Sequence, residues 1–303
     1  MRVCRGVCEP LTAWSLLNYR HAYHAGNFAD VFKHTLLTRV LVYLTRKEAP
    51  LRFIDTHAGI GRYDLGGEEA RRSGEWRSGV GKLKGAAPPP EIAALIAPYL
   101  RIVGPLDAEG RPQSYPGSPA LAQALLRPQD RLALCELHPE DRAALVANMG
   151  RDKRLAIVEL DGYVALNAWL PPKEKRGLVL IDPPFEAPDE SKRLVEALAR
   201  ALRKWPRGVY ALWRPIKDAR DDGRFLNALA ALGAPNMLRL ELDVGEAPSA
   251  SAASVPLSKT GLLVVNPPHV LFEEAKLLLP YLTMLLARGE GASWRCDWLT
   301  EPR

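Results

Sequence analysis

The stretch LVLIDPPFEAPDE, residues 178–190, decides how this chain is read. Leu178 to Ile181 form a short unbroken apolar run. Such a run predicts a strand buried on both faces, as in the interior of a parallel sheet. Pro183 and Pro184 end it, because proline has no N–H to give to a sheet ladder. Asp182, the Pro183 carbonyl and the Phe185 ring are therefore expected together at the carboxyl end of a central strand. Ligands of open α/β sheets bind along that edge. A carboxylate, a carbonyl and a ring in one place suit a flat substrate that bears an amino group.

Working outward, LRFIDTHAGIG (51–61) is a second strand followed by a glycine turn, with Gly59 and Gly61 placed to let backbone approach a ligand. The third glycine of the dinucleotide fingerprint is absent, since Asp64 holds its slot. This argues against a nicotinamide dehydrogenase, and a smaller adenosyl ligand fits better. The acid that ends the next strand of a nucleotide-binding unit is due roughly 20 residues later. Here RLALCEL (131–137) supplies it far later, as Glu136. The delay marks residues 66–117 as an inserted segment, rich in Gly, Pro and Arg, with one apolar helix at Glu91–Val103. It reads either as a solvated decoration or as a substrate-docking subdomain. SPALAQALL (118–126) predicts a helix capped by Ser118 with Pro119 at its first position. Glu136 is placed to hold a ribose diol. RLAIVEL then ends at Asp161-Gly162, where a carboxylate can accept from an adenine amino group or a nearby amide.

Ahead of these strands, Val31, Phe32, Leu36, Leu37, Val40, Leu41 and Leu44 repeat at helical spacing, with Asn27 or Asp30 as the cap. Tyr19, His21, Tyr23, His24, Phe28 and His34 cluster at its start and read as a packed lid or a lid over a site. No metal site is expected. Beyond residue 190 come amphipathic helices at 191–205 and 221–233, strands GVYALWRPI (208–216), LRLELDV and GLLVVNPPHVL (261–271), and a last helix at Glu273–Leu286. The alternation predicts a doubly wound α/β sheet with helices on both faces and the final two strands as an antiparallel pair at one edge. Asn266-Pro267-Pro268-His269 repeats the proline pair without the aromatic residue. It reads as a structural strand end lining the pocket.

Composition narrows the class. The 303 residues are 47% apolar and 25% charged, a globular balance, and carry a net charge of +6 that permits a polyanion partner. Four scattered cysteines (Cys4, Cys8, Cys135 and Cys296) predict reduced thiols in a cytoplasmic protein. No apolar run reaches the roughly 18 residues of a membrane span. Glu9 and Pro10 interrupt any signal-peptide core. Residues 1–18 read as a loosely ordered extension.

An aromatic exocyclic amine is a poor nucleophile, because its lone pair is delocalised into the ring. Acceptors on its N–H groups, such as Asp182 and the Pro183 carbonyl, localise that pair, and Phe185 can stack on an extruded base.

With these residues in hand, the chain resembles the RlmJ family, S-adenosylmethionine-dependent adenine-N6 methyltransferases of large-subunit (23S) ribosomal RNA. The resemblance runs from about Leu17 to the C-terminus. It rests on YRHAYHAGNFADVFKHT (19–35), DTHAGIGRYDL (55–65), YPGSP (115–119), ELHP (136–139), DGY (161–163), KRGLVLIDPPF (175–185), GVYALWRPIK (208–217) and GLLVVNPP (261–268). The resemblance implies a Rossmann-like class I methyltransferase domain, residues 19–65 and 118–303, with residues 66–117 as an inserted helical subdomain. It implies that His34, His57, Ser118, Glu136, Asp161, Gly162 and Asp182 contact the cofactor, with Lys33 in the same N-terminal motif. It makes Asp182 catalytic and associates Tyr19 with the RNA and with access to the site. It implies a monomer that acts on 23S ribosomal RNA before the ribosome is fully assembled. Three departures stand out: Phe185 where many relatives have Tyr, an extra stretch before Tyr19, and Arg214 after Trp213 where an aromatic often follows. A DNA adenine or protein glutamine methyltransferase, and an idle RNA-binding assembly factor, remain open at this point.

Overall fold

The computed structural model describes residues 20–108, 110–245 and 257–302. Helix α1 (Phe28–Leu44) leads into strand β1 (Arg52–Asp55) and the short β2 (Arg62–Tyr63). Helices α2 (Glu68–Ser73), α3 (Val80–Gly85) and α4 (Pro90–Val103) follow, with a 3-10 turn at Glu75–Ser78. The excursion closes at β3 (Tyr115–Pro116), which pairs antiparallel with β2. Next come α5 (Ser118–Leu125), β4 (Arg131–Cys135), α6 (Pro139–Met149), β5 (Leu155–Val158), α7 (Gly162–Trp169) and β6 (Gly177–Ile181). After them lie α8 (Glu190–Lys204), β7 (Val209–Pro215), α9 (Ala219–Ala230), β8 (Met237–Asp243), β9 (Lys259–Val265), α10 (Leu271–Leu286) and β10 (Ser293–Thr300).

These strands build an eight-stranded sheet in the order β10-β8-β9-β7-β6-β1-β4-β5. From β5 to β7 all pairs are parallel, while β9 runs antiparallel between β7 and β8. Strand β6 is interior, and Leu178 to Ile181 are each fully buried. Leu178 and Leu180 join the core beneath α1, α4, α5 and α10. Val179 and Ile181 join the opposite core beneath α7, α8 and α9. The apolar run is unbroken because both faces of the strand are covered.

Several boundaries differ from the sequence reading. The last two strands do pair with each other, but they are not the edge. β9 is threaded between β7 and β8, and β10 is a further strand outside them. β10 is half exposed and polar on alternate positions, so it lacks the dense apolar signal of the interior strands. Asn27, not Asp30, caps α1, its side chain accepting from the Asp30 N–H at 3.0 Å. Helix α1 is buried around its whole circumference rather than along one face. It lies between the sheet and helices α4, α5 and α10. Its buried charged residues are paired, Arg39 forking onto Glu274 at 2.8 and 2.7 Å, while the hydroxyls of Thr35 and Thr38 have no hydrogen-bond partner among the described residues. Ser118 is the first residue of α5 rather than its cap, and its hydroxyl donates to Asp55 Oδ2 at 2.7 Å.

Candidate active site

The carboxyl ends of β1, β4, β5, β6 and β7 open onto one cavity of about 1260 Å³. The parallel sheet delivers Asp55, Glu136, Asp161, Asp182 and Trp213 to this edge. Helix α1 covers it from one side and presents Lys33.

Lys33 Nζ lies 2.6 Å from Asp182 Oδ2 and 3.1 Å from Asp30 Oδ1. It also sits over the Trp213 ring, 5.5 Å from its centroid. Asp30 is the hub behind it. Its Oδ2 accepts from the Gly26 N–H at 2.9 Å and lies 3.0 Å from His21 Nε2. Burial works to raise the Asp30 pKa, but His21, Lys33 and His34 outweigh it and hold the group well below the usual carboxylate range. His34 is fully enclosed, and burial pushes its pKa down to about 3. Its Nδ1 is 2.7 Å from the Tyr115 hydroxyl, which is 2.9 Å from that of Tyr99. The chain of contacts ties α1 to α4 of the inserted segment.

The opposite part of the cavity is built by the glycine turn. Gly59 N–H donates to Glu136 Oε2 at 2.8 Å, and His138 N–H donates to Oε1 at 2.9 Å. Burial raises the Glu136 pKa and these two donors pull it back. Each oxygen keeps a lone pair that a ribose hydroxyl could use. Burial also pushes the His57 imidazole down to about 4, so it is neutral at physiological pH. Its ring meets Tyr163 edge-on at 5.5 Å. Asp161 Oδ1 accepts from the N–H groups of Tyr163 and Val164 and so caps α7, while Oδ2 pairs with Arg193 at 2.6 Å. Gly162 must be glycine, since a Cβ there would lie 2.3 Å from the Thr56 carbonyl oxygen.

Beyond Asp182 the chain turns sharply. Phe185 has φ of +52°, a left-handed conformation uncommon for a bulky residue and worth roughly 1–3 kcal/mol of strain. This turn sets its ring edge-on to Trp213, with centroids 6.1 Å apart. Phe185, Trp213 and Pro183 form an aromatic-walled slot beside Asp182, whose Oδ1 makes no hydrogen bond among the described residues.

The cavity wall thus gathers Lys33, His34, His57, Gly59, Ser118, Glu136, Asp161, Gly162, Asp182, Pro183 and Phe185. Gly61 does not reach it. With φ of +74°, Gly61 packs against Leu145 and Met149, so its role is in the turn and not on the wall. Tyr19 lies outside the described residues. Asn266-Pro267-Pro268 does not line the cavity either. β9 is antiparallel, so its carboxyl end emerges at the opposite edge of the sheet. There Asn266 Nδ2 donates to the carbonyls of Pro206 and Gly208 at 2.9 and 2.8 Å, a purely structural use. Among the described residues no cluster could hold a metal ion.

Sequence reasoning missed Asp30, Asp55, Tyr163, Glu190 and Arg193. Glu190 is buried at the start of α8 and accepts from the Tyr163 hydroxyl at 2.6 Å. All but Arg193 lay inside the quoted motifs, but their partners are distant in sequence and no local signal joins them. Asp55 had a signal: it is a strand-end acid followed by a glycine turn, like Glu136 and Asp161 by position.

The family model described as "Ribosomal RNA large subunit methyltransferase D, RlmJ" matches residues 48–300. The chain is 39% identical over 286 residues to "Ribosomal RNA large subunit methyltransferase J" of Haemophilus influenzae, covering 94% of this chain and 99% of that protein. The chain belongs to the RlmJ family. The Escherichia coli protein of the same description is 38% identical over 283 residues, covering 92% of this chain and 99% of that one. A crystal structure of a Legionella pneumophila protein, 34% identical, superposes with a TM-score of 0.80 over 91% of this chain and 98% of the other. The RlmJ family membership agrees with the α/β fold expected of the sequence, and the mostly parallel sheet is that fold.

Proposed function

We propose that this chain transfers a methyl group from S-adenosylmethionine to N6 of an adenine in 23S ribosomal RNA, through the cavity at the carboxyl edge of its sheet. The observation that carries the reading is Asp182, with one oxygen held by Lys33 and the residue lining the same cavity as the Phe185 and Trp213 rings. The family's printed description, a large-subunit ribosomal RNA methyltransferase, supports the substrate class.

The residues present fit the cofactor. Glu136, its oxygens fixed by backbone donors, suits the ribose hydroxyls. Asp161 and the Gly162 backbone suit the adenine end, with Arg193 sharing Asp161 Oδ2. His34, His57, Ser118 and Lys33, which line the same cavity, would be left to hold the methionine portion. When bound, S-adenosylmethionine supplies an electrophilic methyl group on a sulfonium.

This chain's own work is positioning and electrostatics. Phe185 and Trp213 hold the base plane. Asp182 Oδ1 and the Pro183 carbonyl accept the two amine N–H groups and return lone-pair density to the nitrogen. Lys33 fixes Asp182 by a short charge-assisted bond so that one oxygen faces the amine. The amine proton becomes acidic only as the new N–C bond forms, and Asp182 is in reach to receive it. Burial keeps His34 and His57 neutral, so neither would add positive charge to a site for a cationic cofactor. The base must leave its stack to enter, which favours free RNA over the assembled ribosome. We read the enzyme as a cytoplasmic monomer.

Purified protein, tritiated S-adenosylmethionine and protein-free 23S RNA test the reading, with label expected in N6-methyladenine. Asp182→Asn should lower turnover at least about 100-fold while cofactor affinity by calorimetry stays within a few-fold. Transfer to DNA or peptide in preference to RNA would sink the substrate, and loss of cofactor binding in the variant would sink the role given to Asp182.

A further inference from the structure

The inserted segment meets the cavity at its rim. Ser73, Gly74, Glu75 and Ser78 line the mouth. Beside them Arg71, Arg72 and Arg77 are exposed. None of the three makes an ion pair with a carboxylate among the described residues, whereas Arg39, Arg52, Arg154, Arg214 and Arg239 each do. Glu75, the carboxylate nearest to Arg77 in sequence, is already engaged by His24 and Asn27, and Glu68 and Glu69 stand in the first turn of α2, one turn before Arg71 and Arg72. The Arg77 guanidinium lies on the buried Trp76 ring, 5.0 Å from its centroid.

This lip is held in place. Ser73 Oγ donates to the Tyr23 carbonyl, and Val80 N–H donates to the Gly26 carbonyl at 2.8 Å. Gly74, left-handed at φ of +63°, ends α2 just after the first two arginines. The arginines therefore stand on rigid backbone, in the last turn of α2 and on the adjoining 3-10 turn. Lys217 is exposed on the loop after β7 and also lines the cavity. Exposed positive charge thus stands both beside the residues that α2 and the 3-10 turn give to the cavity wall and on the loop after β7.

We propose that Arg71, Arg72 and Arg77 clamp the phosphates next to the base that enters the cavity, together with Lys217 on the loop after β7. The proposal rests on the reading of the substrate as RNA. Guanidinium forks match phosphate oxygens, and these arginines have no competing carboxylate partner. An extruded base leaves its flanking phosphates at the mouth, within reach of the lip. The inserted segment is then the substrate-docking part of the molecule rather than a solvated decoration.

The test compares three proteins: wild type, the lip variant with Arg71→Gln, Arg72→Gln and Arg77→Gln, and a control with Arg200→Gln, Arg203→Gln and Arg207→Gln. The control removes equal charge from the far end of α8 and the turn after it. Binding to protein-free 23S RNA is measured between about 50 and 200 mM salt, with cofactor affinity measured by calorimetry. The lip variant should lose about 2 from the log–log salt slope and bind RNA about 10- to 100-fold more weakly. Its RNA KM should rise with kcat at saturating RNA and cofactor affinity unchanged, and the control should stay within about 2-fold of wild type. An Arg→Lys version of the lip should restore the slope; failure to do so would mark the loss as structural and overturn the clamp. Wild-type affinity in the lip variant, or an equal loss in the control, would also overturn it. Failure of the underlying reading is seen separately, as a wild-type protein that binds cofactor and methylates no RNA.

Discussion

Asp55 shows how much one buried side chain can carry. It ends β1, is fully buried, and holds Ser118 Oγ on one oxygen and the His57 N–H on the other. Burial pushes its carboxyl up to about 7, the Ser118 bond pulls it back in part, and nearby Asp182 adds to the rise. The folded state therefore keeps a proton that the unfolded chain gives up near 3.8. That contribution to stability is complete below the unfolded value and is lost as pH rises through about 7. His34 and His57 act in the opposite sense. Their folded values are about 3 and about 4, so their contribution is complete above 6.5 and is lost as the pH falls toward those values. Urea unfolding of wild type and Asp55→Asn across this range separates the two. The free-energy difference in favour of wild type should grow as pH is lowered from about 8 to about 5. A difference that does not change with pH would show that Asp55 does not titrate there.

At the scale of elements, β6 and β9 carry nearly the same sequence ending for different ends. β6 is parallel to its neighbours and brings Asp182-Pro183-Pro184-Phe185 to the cavity. β9 is antiparallel and takes Asn266-Pro267-Pro268 to the other edge, where Asn266 ties the turn between α8 and β7. Asn266 also sits at φ of +52°, a conformation asparagine accepts better than most residues. Asn266→Ala removes two hydrogen bonds and strains the backbone, so it should cost about 1–3 kcal/mol in urea unfolding. Asn266→Gly, which keeps the backbone freedom, should cost less. Methyl transfer should stay within about 2-fold in both, and a large loss of turnover would put the second proline pair back at the site. The element-level sequence signals were faithful where burial was two-sided, as in β6, and weak where it was not, as in β10. Helix α1 misled differently. Its apolar repeat gave no sign that the polar residues between are buried as well, and Lys33 and Arg39 are enclosed by pairing with residues far along the chain.

At the scale of the molecule, α4 shares a core with α1 and the sheet. Ile96 and Tyr99 of α4 are buried in the same cluster as Phe32 and Leu36 of α1. Ile96→Ala should therefore lower the single unfolding transition by about 2–5 kcal/mol. A separate low-stability transition, with the rest of the protein unchanged, would instead make the segment an independent unit. The sequence by itself determined the strand-end chemistry: a buried apolar run, the prolines that stop it, and acids placed at strand ends are local patterns fixed by hydrogen-bonding and burial rules. Motif density likewise led to the family. Only the tertiary structure decided which acid meets which cation, that β9 reverses and carries its proline pair away, and that α1 is enclosed. Those outcomes depend on contacts between residues as far apart as Lys33 and Asp182, and no local periodicity encodes a partner so distant.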